Sequence, residues 1–184
     1  MKSESFLKIT EGVLIRTTRN HNLGNKLLET LLSRNRYIKI TEGVMSAAAS
    51  NEGKGVESMN ILLARDGVSE ITEAVWVAAA GNWTYAKQVL ELLLAKDKDA
   101  EITEPVLTAA ARNGRDGLKA LEFLLATENT NITEAAIIAA AGNLDKGKHM
   151  LDLLLTNDSS LSVPEAVVAV AAGNGGCRKE LIAT

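Results

Sequence analysis

One stretch of twelve residues, Ile71-Thr72-Glu73-Ala74-Val75-Trp76-Val77-Ala78-Ala79-Ala80-Gly81-Asn82, recurs with substitutions six times along the chain. Its copies begin at Ile9, Ile40, Ile71, Ile102, Ile132 and Val163, so successive starts lie 31, 31, 31, 30 and 31 residues apart. Self-similarity at such a period restricts the chain to architectures in which one small unit, unable to bury its own apolar face, stacks on copies of itself.

Each copy reads as a short helix with both ends specified. Thr10, Thr41, Thr72, Thr103 and Thr133 occupy the N-cap position, where a hydroxyl can accept from an amide of the first turn. In the last copy Pro164 takes that place, and Ser162 with Glu165 predicts a capping box instead. Ile9/Leu14, Ile40/Met45, Ile71/Trp76, Ile102/Leu107, Ile132/Ile137 and Val163/Val168 have the spacing of a hydrophobic staple. Glu11, Glu42, Glu73, Glu104, Glu134 and Glu165 follow the cap, where negative charge suits the helix dipole, and Pro105 fits a first turn. Asn20, Asn51, Asn82, Asn113, Asn143 and Asn174 hold the far end in every copy. The expected reason is that Asn tolerates the left-handed conformation in which many helices stop.

Triple alanines at 47–49, 78–80, 109–111 and 139–141 give this helix a bare surface, which allows close approach of a neighbour. A helix this short is marginal alone, below the ~12–15 residues that isolated helices need. A second helix follows, starting near Gly24, Gly55, Ala86, Gly117, Gly147 and Arg178, with leucine clusters such as Leu90, Leu92, Leu93 and Leu94. Glu29, Glu91, Glu122 and Asp152 interrupt the clusters on the side expected to meet water, the pattern of an amphipathic helix. Links such as 96–101 are short and charged, too short for a long β-hairpin. The expected fold is therefore all-α: a single repeat domain over 1–184, an α-solenoid of about six helix-turn-helix repeats after a leader at 1–8. Arg16-Thr17-Thr18, in place of three alanines, predicts a wettable N-terminal cap. The sixth unit, incomplete at Thr184, predicts an apolar face at 167–172 open to another molecule.

Composition narrows the function classes. Cys177 is the one cysteine, so neither an intrachain disulfide nor a thiolate metal cluster is expected. No apolar run approaches the ~20 residues of a membrane span, and residues 1–8 lack the apolar core of a secretory signal. The expected location is cytoplasmic, with the sequons at Asn82, Asn131 and Asn157 incidental. Residues 1–39 hold eight Lys/Arg and three Asp/Glu, whereas 40–184 hold twelve and twenty. Positive charge confined to one end and an acidic bulk argue against a nucleic-acid partner.

The chain is not expected to be an enzyme. His21 and His149 lie in different repeats, with no nucleophile, base and orienting group set to converge. Gly173-Asn174-Gly175-Gly176 has no preceding strand and no Lys-Ser/Thr after it, so it reads as a turn and not a phosphate cradle. The Glu row lies one repeat apart per member, too far for two carboxylates to share an ion. No cofactor, no metal and no catalytic residue is expected.

Variation is concentrated just after the fixed Asn: His21-Asn22-Leu23, Glu52-Gly53-Lys54, Trp83-Thr84-Tyr85, Gly114-Arg115-Asp116, Leu144-Asp145-Lys146 and Gly175-Gly176-Cys177. A repeated frame carrying one varied loop row is how repeat proteins build a recognition edge. The expected partner-binding residues are Glu52, Lys54, Trp83, Tyr85, Arg115, Asp116, Asp145 and Lys146, with Trp and Tyr of the type that dominates interfaces. The expected function is protein–protein recognition or scaffolding by these loops and the exposed side of the first helices. The alternative is a self-assembling array that stacks end to end.

Thr at the helix start, the alanine run, Gly and a later leucine triplet resemble the ankyrin repeat. Ile-Thr-Glu-x-Val-x-x-Ala-Ala-Ala-Gly-Asn with a following Leu-Leu-Leu is similar to short ankyrin-like repeats of large fungal intracellular proteins. The resemblance covers residues 9–183 and implies a recognition or scaffold role beside a neighbouring domain of a larger chain, without the ankyrin β-hairpin finger.

Overall fold

The computed structural model describes residues 9–35, 37–65, 68, 70–127, 130–158 and 164–174. Those residues form eleven helices and no strand. The first helices of the repeats are α1 (Glu11–Thr18), α3 (Glu42–Ala49), α5 (Glu73–Ala80), α7 (Glu104–Arg112), α9 (Glu134–Ala141) and α11 (Glu165–Gly173). The second helices are α2 (Gly24–Arg34), α4 (Gly55–Leu63), α6 (Ala86–Lys96), α8 (Gly117–Leu125) and α10 (Gly147–Asn157).

Contacts between helices divide them into two layers. Each first helix packs on the next first helix, from α1 through α3, α5, α7 and α9 to α11, and the second helices do the same from α2 to α10. Each hairpin partner joins the layers. This is the helical-repeat solenoid expected from the period. The alanines explain the close first layer. Ala48, Ala79, Ala110 and Ala140 are fully buried, and so are Ala49, Ala80, Ala111 and Ala141. Leu62, Leu93, Leu124 and Leu154, one per repeat, are also fully buried and fill the space between layers. At roughly 1.5–3 kcal/mol per buried leucine, these rows supply much of the driving force. Glu29, Glu91, Glu122 and Asp152 are exposed, as the amphipathic pattern requires.

In the first repeat the alanine-run position that is innermost elsewhere holds Thr18, which is buried and turns its hydroxyl back to the Ile15 carbonyl at 2.9 Å. Only Arg16 of that polar trio is exposed. Thr10, Thr41 and Thr133 accept from the amides of Val13, Val44 and Ala136, each at 3.4 Å. Thr72 and Thr103 depart from expectation: their helices have no side-chain cap bond, and their buried hydroxyls lack a partner. Ser162 and Val163, and with them the expected capping box and the sixth staple, lie outside the described residues, as do the leader at 1–8 and Cys177. Between repeats four and five, Ile102 and Thr130 form an isolated parallel bridge, and no hairpin finger occurs among the described links.

Candidate recognition edge

The fixed Asn organises the loop row, and not by adopting a left-handed backbone. At the helix ends φ is −82° at Ser50, −78° at Gly81 and −79° at Gly142, ordinary right-handed values, and Asn113 and Asn174 themselves are extended, with φ of −75° and −86°. What every repeat needs is the carboxamide. Its Oδ1 accepts two amides of its own loop: Gly53 and Lys54 for Asn51 (2.8 and 2.9 Å), and Thr84 and Tyr85 for Asn82 (3.0 and 2.9 Å). Asn113 and Asn143 repeat the pattern with Arg115, Asp116, Asp145 and Lys146, and Asn20 with Asn22 and Leu23.

The amide nitrogen works in the opposite direction, toward the preceding repeat. Asn82 donates to the carbonyls of Ala49 (2.8 Å) and Asn51 (3.2 Å). Asn113 donates to Ala80 (3.1 Å) and Asn82 (2.8 Å), and Asn174 to Ala141 (2.9 Å) and Asn143 (2.8 Å). Asn51 bonds Thr18 and Asn20, and Asn143 bonds Ala111. The carbonyls of Thr18, Ala49, Ala80 and Ala111 lie in the last turns of their helices, where no intrahelical amide reaches them, whereas those of Asn20 and Asn143 also accept from the Gly24 and Gly147 amides. The result is a buried ladder of side-chain amides that closes each helix, shapes each loop and sets the next repeat in register. Donor and acceptor on one planar group are required for this, so neither Asp nor Gly could substitute.

The loops borne by this ladder form one continuous edge. A Cβ at Gly53 would run into the backbone of His21, and one at Gly114 into the Asp145 carboxylate, so adjacent loops lie in contact. Trp83 is 52% exposed and stands on the edge. Glu52, Arg115, Asp145 and Lys146 are exposed there as well. Lys54 is tied to Glu57 at 2.8 Å. That hydrogen bond and the Glu57 charge hold the Lys54 ammonium above its ordinary pKa, and the same bond holds the Glu57 carboxyl below its own. Two of the expected contacts turn inward. Tyr85 is half-buried against the core. Asp116 is 4% exposed, accepts from the Lys87 amide at 3.1 Å and pairs with Lys119 at 3.2 Å, so it joins repeats three and four. Leu144, which sequence reasoning did not single out, is 74% exposed at the place Trp83 holds in its repeat. Its signal was there to read, a large aliphatic residue directly after the fixed Asn.

Asn82, the first residue of a sequon, is 1% exposed and uses its amide in the ladder, which leaves no room for a glycan in the folded chain. No group of three or more His, Cys, Asp or Glu among the described residues could hold a metal ion. No helix among them is long and apolar enough to cross a membrane.

A family model described as Domain of unknown function (DUF7104) matches at residues 31–59, 62–89, 92–119 and 127–150. Together these four segments cover more than half of the 184 residues. The chain belongs to the DUF7104 family. Each DUF7104 segment holds one N-cap Thr, one alanine helix, one fixed Asn and the start of the following second helix. Each DUF7104 unit thus contains one ladder Asn with the loop it shapes, while the carbonyls that this Asn donates to lie in the preceding repeat. No curated protein and no solved structure matches the chain.

Proposed function

We propose that the chain is a non-catalytic protein-recognition or scaffold module that meets its partner, a separate protein or a neighbouring domain, through the loops after the fixed Asn and the exposed side of the first helices. The observation that carries this reading is the contrast along one edge. The ladder Asn are buried in the same geometry repeat after repeat, while the residues directly after them differ and reach outward, Trp83 at 52% and Leu144 at 74% exposure. Large side chains held out on an ordered frame bind with little loss of backbone freedom. The similarity to ankyrin-like repeats of fungal intracellular proteins favours the same role and a cytoplasmic setting. A photo-crosslinking residue at position 83 or 144 should capture partner in cell extract, whereas the same residue at Glu122, on the outer face of α8, should not. Equal capture at all three positions would remove the loop edge from the interface.

A second reading, end-to-end stacking of copies, has one observation in its favour. Val168 in α11 is 57% exposed, whereas the equivalent Leu107 and Ile137 are buried at 0% and 1%. Light scattering at rising concentration tests it, and a monomer throughout would sink it.

A further inference from the structure

The two edges of the stack carry opposite charge. Over repeats two to five, the seven residues centred on each N-cap Thr (38–44, 69–75, 100–106 and 130–136) hold one Lys and six Glu. The seven residues after each fixed Asn (52–58, 83–89, 114–120 and 144–150) hold six Lys/Arg and four Asp/Glu. The difference follows the helix ends. All six first helices have an acidic residue in the first turn, whereas α2, α6, α8 and α10 have none, so the positive ends of those second helices face the loop edge without a balancing side chain of their own.

Two of the four acids on the loop edge are already engaged. Glu57 is paired with Lys54, and Asp116 is buried against the Lys87 amide and Lys119; the Lys87 ammonium is in turn paired with Glu91, so three of the six cations are engaged as well. Asp116 also displays the chemistry that this edge satisfies, a carboxylate seated between a second-helix amide of the preceding repeat and a lysine of its own. Arg115 and Lys146 stand exposed without an ion-pair partner among the described residues, with Trp83 and Leu144 as exposed apolar neighbours on the same row.

We infer that this edge takes an acidic protein segment carrying an apolar anchor, its carboxylates facing Arg115 and Lys146 and its anchor seated on Trp83. The inference rests on the reading of the loops as the partner-binding edge and adds the partner's chemistry. A nucleic-acid strand fits less well, because the exposed Glu52 and Asp145 interrupt any phosphate track that the cations could form. An acidic segment can place neutral residues opposite those two carboxylates, whereas a phosphodiester backbone cannot skip a charge.

The test uses three fluorescent probes in polarisation titrations: the peptide Glu-Leu-Glu-Asp-Phe-Glu-Glu-Leu, its counterpart with every acid replaced by Lys, and a 20-nucleotide oligouridylate. The acidic peptide should bind the full chain, more weakly as salt rises, and the lysine peptide should not. The double variant Arg115→Glu/Lys146→Glu should lose about tenfold in affinity, since reversed edge charges act on encounter and salt dependence. Its circular dichroism and melting temperature should match the parent, because both side chains are exposed. Trp83→Ser should weaken the acidic peptide at all salt concentrations. Absence of acidic-peptide binding, equal binding to the reversed variant, or tighter binding of the oligouridylate would each overturn the inference. Crosslinking at position 83 that persists in that event would leave the edge standing and discard only the acidic partner.

Discussion

The side-chain amide of Asn113 donates at 2.8 Å to the main-chain carbonyl of Asn82, the residue at the same place one repeat earlier. The second hydrogen of that amide reaches the Ala80 carbonyl at 3.1 Å, while the carboxamide oxygen accepts from Arg115 and Asp116. One buried side chain therefore terminates a helix in the preceding repeat, forms the loop of its own and transmits register between the two. Stability and loop geometry are coupled at this point, and the first prediction tests the coupling.

Asn82 is 1% exposed, and Asn82→Ala leaves the buried carbonyls of Ala49 and Asn51 and the part-buried amides of Thr84 and Tyr85 without these partners. Each buried group left unsatisfied costs about 1–3 kcal/mol, so the urea midpoint should fall markedly. Asn20 is exposed and has no such donation among the described residues. Asn20→Ala should therefore cost much less, and equal losses at the two sites would refute the ladder as a source of stability.

Gly117 and Gly12 should respond in opposite senses to alanine. A Cβ on Gly117 would collide with the Ala110 carbonyl and press on Asn113 Cβ at 3.0 Å, at the crossing of α7 and α8. The backbone must shift, at a cost of about 1–3 kcal/mol. At Gly12 the nearest atom is Thr10 Oγ1 at 3.9 Å. Alanine there is accommodated and removes freedom from the unfolded chain, a gain of about 0.4–1 kcal/mol. Thermal melts of the two single variants check both signs.

The two tryptophans separate frame from edge. Trp76 is 4% exposed inside α5, and Trp76→Ala should cost ~3–5 kcal/mol, as a large buried ring does. Trp83 is 52% exposed, and Trp83→Ser should leave stability within about 0.5 kcal/mol while abolishing capture of a loop-edge partner. A large loss of stability at Trp83 would turn it from an interface residue into a cover for its own repeat.

The Lys54–Glu57 pair should contribute only across a bounded pH range. Its hydrogen bond lowers the Glu57 pKa, so that share is present above the ordinary carboxylate value and lost as pH falls through the depressed one. The Lys54 pKa is raised, so its share is present below the ordinary lysine value and lost as pH rises through the elevated one. The difference in melting temperature between parent and Glu57→Gln should be small, widest near neutrality, and vanish in acid. A difference that persists in strong acid would rule out the ion pair as its cause.

The architecture was legible because it is periodic and local. The spacing of 30 or 31 residues, the Thr at five of the six helix starts, the Glu at all six and the leucine rows are carried by neighbouring residues, and helices with those amphipathic patterns bury them by stacking. The site was legible in part. Trp83, Glu52, Arg115, Asp145 and Lys146 emerge on the exposed loop row, where their position after the fixed Asn put them. Asp116 and Tyr85 share that spacing yet turn inward, because whether a loop side chain points to water depends on the repeat beside it and not on its own register.

The fixed Asn marks the boundary between the two kinds of information. Its recurrence in six copies establishes that something in every unit requires it, and a left-handed helix end is the local reason a single unit would suggest. The structure shows a different local role, Oδ1 accepting two loop amides, and a non-local one beside it: the amide of Asn82 serves Ala49 and Asn51, 33 and 31 residues away. The charge polarity across the stack has the same origin. Along the chain, basic and acidic residues alternate within each period and average out. Packing in register gathers all the second-helix starts on one edge and all the first-helix starts on the other, and only then do the lysines of separate repeats become neighbours. A period is a property of the chain, but a face is a property of the assembled layers, since it exists only once hydrogen bonds and buried alanines have brought distant copies side by side.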